Sequence, residues 1–215
     1  MARGKFISFE GGEGAGKSTQ LTRLCARLTK AGLTVVQTRE PGGTEGADAI
    51  RELLVTGPAD RWDPISEVLL HYAARRDHVE RVIKPALDRG DWVVSDRFAD
   101  STMAYQGYGY GLSLEVIKTV HLATLGKFHT DMTIVMDFAP ADGLARARMR
   151  DPDPSRYERF DLAFHERLRE GFLEIAKSAP ERCVVVDAGG PVDQVAEDVW
   201  GMIVSRIGGG EVGLD

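Results

Sequence analysis

The eight residues Gly11-Gly12-Glu13-Gly14-Ala15-Gly16-Lys17-Ser18 connect an apolar run, 5–9, with an amphipathic segment, 18–31. They fit the pattern G-x-x-x-x-G-K-[ST] in the order strand, loop, helix. Glycines let successive backbone N–H groups turn toward phosphate oxygens, and the N-terminus of the following helix adds the positive end of its dipole. A glycine-rich turn with an incidental lysine is the alternative, which the flanking strand and helix disfavour. The sequence therefore predicts a phosphate-binding loop that extends to Thr19.

Two side chains of this loop have predicted chemical roles. Lys17 would reach the β and γ phosphates of a nucleoside triphosphate, and the Ser18 hydroxyl would ligate Mg²⁺. A nucleoside triphosphate with Mg²⁺ is thus the first predicted ligand.

Apolar runs of strand length recur between longer helical patterns. The strand runs cover 5–9, 33–38, 92–96, 132–137 and 182–187, and the helical patterns cover 18–31, 64–89, 114–125, 141–150, 162–179 and 192–207. The strand runs are apolar without clean alternation, as in parallel strands covered on both faces. We predict an α/β fold of the P-loop NTPase type, with a doubly wound parallel five-stranded sheet and helices on both faces. We expect a single domain over 1–207 with a short mobile lid at about 146–160, and a flexible tail over 208–215.

Composition limits the possible partners. The chain has 215 residues, of which 27 are Lys or Arg and 33 are Asp or Glu, for a net charge of −6. This acidic excess disfavours a nucleic-acid partner.

Glu10 interrupts the first apolar run, so we expect neither a signal peptide nor a membrane span. Cys25 and Cys183 each lie in an apolar segment, which predicts two buried thiols and a cytoplasmic location.

A second group of basic residues indicates a second anion site. Arginines stand at strand ends and in loops at Arg39, Arg51, Arg75, Arg76 and Arg97. Asp96 and Arg97 directly follow a buried strand run, at the edge where open α/β sheets bind their ligands. The sequence therefore places Arg97 at a binding site rather than in bulk solvent.

Five arginines surround the segment that contains Pro152 and Pro154. They are Arg146, Arg148, Arg150, Arg156 and Arg159. Because the prolines prevent a continuous helix, we expect a mobile loop that could close over phosphates and stabilise the transferred group. A solvated helix face is an equal alternative for Arg146 and Arg150, whereas the lid role is favoured for Arg156.

Four stretches carry a resemblance to a known family. Phe9-Glu10-Gly11, Thr38-Arg39-Glu40-Pro41-Gly42-Gly43-Thr44, Asp96-Arg97-Phe98 and Ser101-Thr102-Met103-Ala104-Tyr105-Gln106-Gly107 together resemble the bacterial thymidylate kinases. The resemblance extends from about residue 5 to residue 187. It implies transfer of the γ-phosphoryl group of ATP, with Mg²⁺, to the 5′-phosphate of dTMP in the synthesis of dTTP, by de novo and salvage routes. It also implies a cytoplasmic homodimer.

The same resemblance assigns roles to matched positions. Arg97 would hold the acceptor phosphate beside Lys17, and Asp96 would lie near the metal with Ser18. The other matched positions surround the nucleotide: Glu13 at the sugar 3′-hydroxyl, Arg75 and Thr102 at the thymine edge, Gln106 against the base, Tyr105 where a ribose 2′-hydroxyl would project, and Glu40, Arg51 and Ser101 around them.

Two positions refine this match. Some thymidylate kinases carry an arginine in the loop where this chain has Gly14; the others supply that cation from the lid, and Arg148 and Arg156 resemble the second arrangement. In addition, the family has a phenylalanine stacked on thymine where this chain has His71. Either His71 or the following Tyr72 would take that role, and the positional match favours His71.

Three alternatives stay open at this point. A kinase for another nucleoside monophosphate shares the phosphate chemistry, and a nucleotide-dependent switch ATPase shares the loop. The apolar segment 112–125 could be buried either between subunits or in the core of one subunit.

Overall fold

The computed structural model describes residues 3–150 and 155–207. The predicted tail, 208–215, and the middle of the predicted lid, 151–154, lie outside the described residues.

A five-stranded sheet forms the centre of the structure. Its strands are β1 (Phe6–Glu10), β2 (Val35–Arg39), β3 (Trp92–Asp96), β4 (Met132–Asp137) and β5 (Cys183–Asp187). Their order is β2-β3-β1-β4-β5, and every neighbouring pair is parallel. The predicted doubly wound parallel sheet is confirmed. The connection after β1 leads toward the β2 edge of the sheet, whereas the connection after β3 leads toward the β5 edge. The ligand crevice is therefore expected at the carboxyl ends of β1 and β3, where this direction reverses.

Helices cover both faces of this sheet. They are α1 (Lys17–Lys30), α2 (Glu45–Val55), α3 (Pro64–His78), α4 (Lys84–Asp88), α5 (Ala99–Thr102), α6 (Leu114–Leu125), α7 (Pro140–Arg150), α8 (Leu162–Ser178) and α9 (Val192–Arg206). The consecutive residues Val93 and Val94 belong to different apolar clusters, because successive strand side chains point to opposite faces. Val94 packs with residues of α1 and α9, whereas Val93 packs with residues of α3, α4 and α6.

The predicted single helix over 64–89 has an irregular middle. A π-helical segment, Val79–Ile83, joins α3 to α4, and Pro85 follows in the first turn of α4. Proline has no N–H and its ring collides with the carbonyl four residues earlier, so a wider turn before it keeps the helix continuous. A second π-helical segment, Met103–Gly109, extends α5.

Two helices were not predicted. The helix α2 begins at a cap in which Thr44 Oγ1 accepts a hydrogen bond of 3.1 Å from Ala47 N. Only Ala47 and Leu54 of α2 are buried, so its apolar stripe is too thin to produce a clear helical period.

None of the helices within 3–150 and 155–207 is long and apolar enough to cross a membrane.

Candidate active site

The glycine-rich loop lies at the carboxyl end of β1 and leads into α1. Gly14 has a φ of +66°, and an added Cβ there would lie 2.0 Å from the carbonyl oxygen of Gly143 in α7. A side chain at this position would therefore collide with the backbone as well as strain it. The loop is closely packed against α7, a contact that the sequence motif does not reveal.

Lys17 is buried at the start of α1. Its Nζ donates to Gly11 O at 3.1 Å and to Gly12 O at 2.6 Å, so the ammonium group lies inside the curve of the loop. Burial and the nearby positive charge of Arg97 lower the pKa of Lys17 to about 8. An anionic ligand in the loop would relieve this unfavourable environment.

Ser18 and Asp96 meet at the mouth of the loop. The Ser18 hydroxyl donates to Asp96 Oδ2 at 2.6 Å, which joins the first turn of α1 to the end of β3. A hydroxyl and a carboxylate are oxygen ligands of the kind that Mg²⁺ prefers. These two residues therefore fit the metal position predicted for them.

Arg97 lies directly beside the phosphate-binding loop. It has a φ of +72°, which is rare for a residue other than glycine and often marks a functional site. Its Nη1 donates to Gly11 O at 2.9 Å, and its Nη2 donates to Glu13 Oε1 at 3.0 Å. Burial alone would raise the pKa of Glu13, but the positive charges of Arg97 and Lys17 lower it to about 2. The two predicted anion sites are thus adjacent.

Glu10 holds the segment that presents Arg97. Its Oε1 accepts a hydrogen bond from Phe98 N at 2.7 Å, and its Oε2 accepts one from Ser101 Oγ at 2.5 Å. Burial and the charge of Asp100 raise the pKa of Glu10 to about 8. This role of Glu10 was not predicted, although an acidic residue at the end of a buried strand was a usable signal.

A cavity of about 730 Å³ begins at this loop and extends to Gln106. Six lysine or arginine residues line it: Lys17, Arg39, Arg51, Arg75, Arg97 and Arg146. Burial and the neighbouring charges of Arg39 and Arg97 lower the pKa of Arg51, whose Nη1 donates to Pro41 O at 2.8 Å. Such a concentration of positive charge favours anionic ligands.

Arg75 occupies the far end of the cavity. Its Nε donates to Glu40 Oε2 at 2.7 Å, and its Nη2 donates to Thr102 Oγ1 at 3.0 Å. Its Nη1 is buried without a hydrogen-bond partner among the residues that the structure describes. Glu40 and Thr102 therefore contact Arg75, and Thr102 does not itself line the cavity.

His71 and Tyr72 point in different directions. His71 lines the cavity, whereas Tyr72 lies in the core with its hydroxyl 3.2 Å from His121 Nδ1. Burial and the charges of Arg75 and Arg156 lower the pKa of His71 to about 3, so its ring is neutral at physiological pH. The structure thus brings His71 to the site and leaves Tyr72 outside it.

Other predicted nucleotide contacts lie along the same wall. Ser101, Tyr105 and Gln106 line the cavity, as does Thr19 near the loop. The hydroxyl of Tyr105 donates to Glu13 Oε1 at 2.6 Å, which places it beside Arg97.

The predicted lid arginines have three different environments. Arg156 is 1% exposed, and its Nε and Nη1 donate to Leu54 O at 2.9 Å and to Ala59 O at 2.8 Å. Its Nη2 is paired with Glu67, so the guanidinium is bound in the core rather than facing the cavity. This position differs from that expected of a lid arginine. Arg146 and Arg148 are both exposed, and Arg146 also lines the cavity, with its guanidinium 4.0 Å from the Phe138 ring centre.

Glu67 and Tyr157 are two further residues beside the cavity that were not predicted. Glu67 is fully buried, and its Oε1 accepts from Tyr157 Oη at 2.8 Å. Glu67, His71 and Arg75 follow one another at intervals of four in α3, which places them on one face of a helix. That spacing was a signal for Glu67. Nothing in the sequence placed Tyr157 beside it.

The positions of Arg97 and the phosphate-binding loop define the class of protein. The guanidinium of Arg97 lies 2.9 Å from the loop carbonyl of Gly11, within a cavity lined by further arginines, so a second anion bound there would lie next to phosphates held by the loop. The class is that of the P-loop nucleotide kinases.

Comparison with known proteins specifies the family. The family model "Thymidylate kinase" matches residues 9–199. The thymidylate kinase of Caulobacter vibrioides is 54% identical, with 97% of this chain and all of the relative covered. That of Deinococcus radiodurans is 46% identical, with 96% and 99% covered. The crystal structure of thymidylate kinase from Ehrlichia chaffeensis is similar with a TM-score of 0.77 at 33% identity, and 94% of this chain and 99% of that chain are covered. This chain belongs to the thymidylate kinase family.

Proposed function

We propose that this protein transfers the γ-phosphoryl group of ATP to the 5′-phosphate of dTMP, giving dTDP and ADP. The observation that carries the proposal is the contact between Arg97 Nη1 and Gly11 O at 2.9 Å, which joins an acceptor site to the donor loop. Family membership supports dTMP as the acceptor and ATP as the donor.

The reaction requires alignment and charge balance more than proton transfer. The acceptor phosphate is ionised at neutral pH, so no strong general base is needed. Two anionic groups must approach each other, and the transition state spreads charge over the transferred oxygens. Lys17 would bind the donor phosphates and Arg97 the acceptor phosphate, and together they offset this repulsion.

Ser18 and Asp96 would hold Mg²⁺ at the mouth of the loop. When bound, the metal neutralises charge on the donor phosphates. On the other side of the site, ionised Glu13 would accept a hydrogen bond from the sugar 3′-hydroxyl. Tyr105 Oη donates to Glu13 at 2.6 Å, a contact that would hold the tyrosine ring where a ribose 2′-hydroxyl would project.

The far end of the cavity matches a thymine edge. Arg75 Nη1 is a buried donor and Gln106 Oε1 a buried acceptor, each lacking a hydrogen-bond partner within the described part of the chain. Thymine offers the complementary pair, a carbonyl at C4 and an N3–H. The neutral ring of His71 would lie against the base, with Glu40 and Thr102 holding Arg75.

The cation that assists on the donor side would come from α7. Arg146 is the arginine of α7 whose lining of the cavity supports this role, and exposed Arg148 lies two residues further along the same helix. We propose both as phosphate contacts, and we assign Arg156 to the protein interior.

Nucleotide turnover tests the proposed function directly. ADP formation from Mg²⁺-ATP should be strongly stimulated by dTMP, with dTDP appearing in equal amount. A screen of common nucleoside monophosphates at equal concentration should leave dTMP as the best acceptor. ATP hydrolysis indifferent to dTMP would instead indicate a switch ATPase, and preference for another monophosphate would indicate a different kinase.

We also propose a cytoplasmic homodimer. Cys25 and Cys183 are buried and free, which fits a reducing compartment. Three apolar side chains on α3 and the neighbouring α6 are open to solvent: Ile65 at 46%, Leu69 at 54% and Leu122 at 62%. A second copy of the chain that packs α3 and α6 against the same helices would bury them.

A further inference from the structure

The geometry points to Glu67 as a positioning residue that determines base specificity. We infer that its carboxylate fixes the side-chain amide of Gln106, so that the carbonyl and not the amino group faces the base. This inference rests on the proposed function, because it concerns the pyrimidine end of the same cavity.

The contact itself is short and completely buried. Gln106 Nε2 donates to Glu67 Oε1 at 2.6 Å, and both residues are 0% exposed. Gln106 lines the cavity, and its Oε1 has no hydrogen-bond partner in 3–150 or 155–207. The amino group of the Gln106 amide therefore has a hydrogen-bond partner, whereas its carbonyl oxygen has none among the described residues.

The chemistry of Glu67 leaves the amide one orientation. An ionised carboxylate accepts hydrogen bonds and donates none, so it can bind only the amino group of Gln106. The other Glu67 oxygen, Oε2, is paired with Arg156 Nη2, and Tyr157 Oη also donates to Oε1 at 2.8 Å. These contacts hold the carboxylate in place. Reversing the amide would bring the Gln106 carbonyl against Oε1, an arrangement of two buried acceptors that is strongly unfavourable.

The fixed carbonyl discriminates between pyrimidines. Thymine and uracil carry a donor at N3, which pairs with Gln106 Oε1, whereas N3 of cytosine is an acceptor. Arg75 Nη1 repeats the discrimination at C4, where thymine has a carbonyl and cytosine has an amino group. A site with buried polar groups rejects a mismatched ligand strongly because those groups are left unpaired.

The substitution Glu67→Gln tests the role of the carboxylate. Glutamine keeps the size of the side chain but can donate to Gln106 Oε1, which frees the Gln106 amide to reverse. We expect the KM for dTMP to rise roughly tenfold with kcat changed much less, since one buried hydrogen bond to the base is lost. We also expect the ratio of kcat/KM for dTMP over dCMP to fall by about tenfold or more. An unchanged ratio would overturn the inference.

A double-mutant cycle separates positioning from general packing. In a Gln106→Leu background there is no amide to orient, so Glu67→Gln should leave the dTMP to dCMP ratio as it is in Gln106→Leu alone. An equal effect of Glu67→Gln in both backgrounds would mean that Glu67 acts through packing, and it would overturn the inference.

A measurement on the unmodified protein covers the case in which Glu67→Gln does not fold. The Gln106 side-chain NH₂, observed by NMR, should be protected from solvent exchange both without nucleotide and with dTMP. Protection that arises only on addition of dTMP would contradict a pre-set amide. Failure of the proposed function would be seen separately, as a wild-type enzyme that does not phosphorylate dTMP. In that case, exchange protection of the Gln106 NH₂ without nucleotide would still report its contact with Glu67.

Discussion

At the scale of single residues, the site depends on charged side chains whose burial makes their pKa values sensitive to neighbouring charges. Lys17 is buried and the nearby Arg97 is partly buried, and the carboxylate of Glu13 pairs with Arg97 as the balancing charge. Bringing two cations together without a ligand is unfavourable, and an arriving phosphate reverses that cost. The site is thereby adapted to anions before any of them binds.

The pKa of Lys17 predicts how nucleotide affinity depends on pH. The ammonium is charged below its pKa of about 8 and neutral above it, whereas bound phosphates favour the charged form. ATP affinity should therefore be constant below pH 7 and fall above pH 8, by up to about tenfold per pH unit. Calorimetric titrations with ATP between pH 6 and 9.5 measure this. In Lys17→Arg, the guanidinium stays charged, so its profile should be flat even if its affinity is lower. A wild-type profile that is also flat would contradict the prediction.

Arg156 offers a second prediction at this scale. Arg156→Met leaves the fully buried carboxylate of Glu67 without its cation, which we expect to lower the free energy of unfolding by about 3–5 kcal/mol. Urea denaturation measures the change, with exposed Arg148→Met as a control expected within about 0.5 kcal/mol of wild type. If the variant folds, dTMP KM should rise more than kcat falls. A large loss of kcat with unchanged stability would restore the lid role.

At the scale of secondary-structure elements, the phosphate-binding loop depends on its contact with α7. Gly14 and Gly143 approach each other so closely that an ideal Cβ on Gly14 would lie 2.0 Å from Gly143 O, and one on Gly143 would lie 2.2 Å from Glu13 O. The loop and the start of α7 must therefore both be glycine at these points. The same contact places Arg146 at the cavity, one turn further along α7.

This contact predicts that Gly14→Ala will abolish tight ATP binding. The methyl group can be accommodated only by moving the loop or α7, which displaces the backbone N–H groups that bind phosphate. Gly32→Ala is the matched control, because Gly32 also has a positive φ, +88°, but has open space around it. Both variants should lose stability by thermal unfolding, and only Gly14→Ala should lose ATP affinity. Normal ATP affinity in Gly14→Ala would show that the loop tolerates the displacement.

At the scale of the whole molecule, the sheet brings distant parts of the chain to one edge. β1 and β3 pair in register from Phe6 with Val93 to Phe9 with Asp96, so Glu10, Asp96 and Arg97 reach the same end. The cavity lies there, and α3 supplies its far wall. The exposed apolar side chains of α3 and α6 point away from the residues with which those helices line the core and the cavity.

The proposed homodimer predicts the effect of a charge on that outer face. Leu69→Glu and Leu122→Glu should each convert the protein to a monomer, because a buried unpaired carboxylate would oppose association. Sedimentation velocity at several concentrations measures the state. Leu162→Glu is the control: Leu162 is 43% exposed but lies on α8, outside the proposed interface. A wild-type protein that is monomeric at all concentrations would refute the dimer.

Local patterns predicted much of the fold and part of the site. Five apolar runs matched the five strands within two residues at each end, because strands buried in a parallel sheet are apolar along most of their length. The exception is β2, which lies at the edge of the sheet and is only partly buried, with Gln37 and Arg39 exposed. The loop motif located Lys17 and Ser18, since phosphate binding by backbone N–H groups requires that local order of residues. The helix α2 and the π-helical segments escaped prediction because a thin apolar stripe and a locally widened turn leave weak periodic signals.

The sequence by itself determined the nucleotide-binding loop, the parallel sheet and the family resemblance, all of which depend on residues close together in the chain. Only the tertiary structure decided that His71 and not Tyr72 faces the cavity, that Arg156 is buried against Glu67, and that Glu67 holds the amide of Gln106. Gln106 follows Glu67 by 39 positions in the chain, and Arg156 follows it by 89 positions. Charge and hydrogen-bonding capacity can be known from a residue's identity, but the partner that uses them is set by packing.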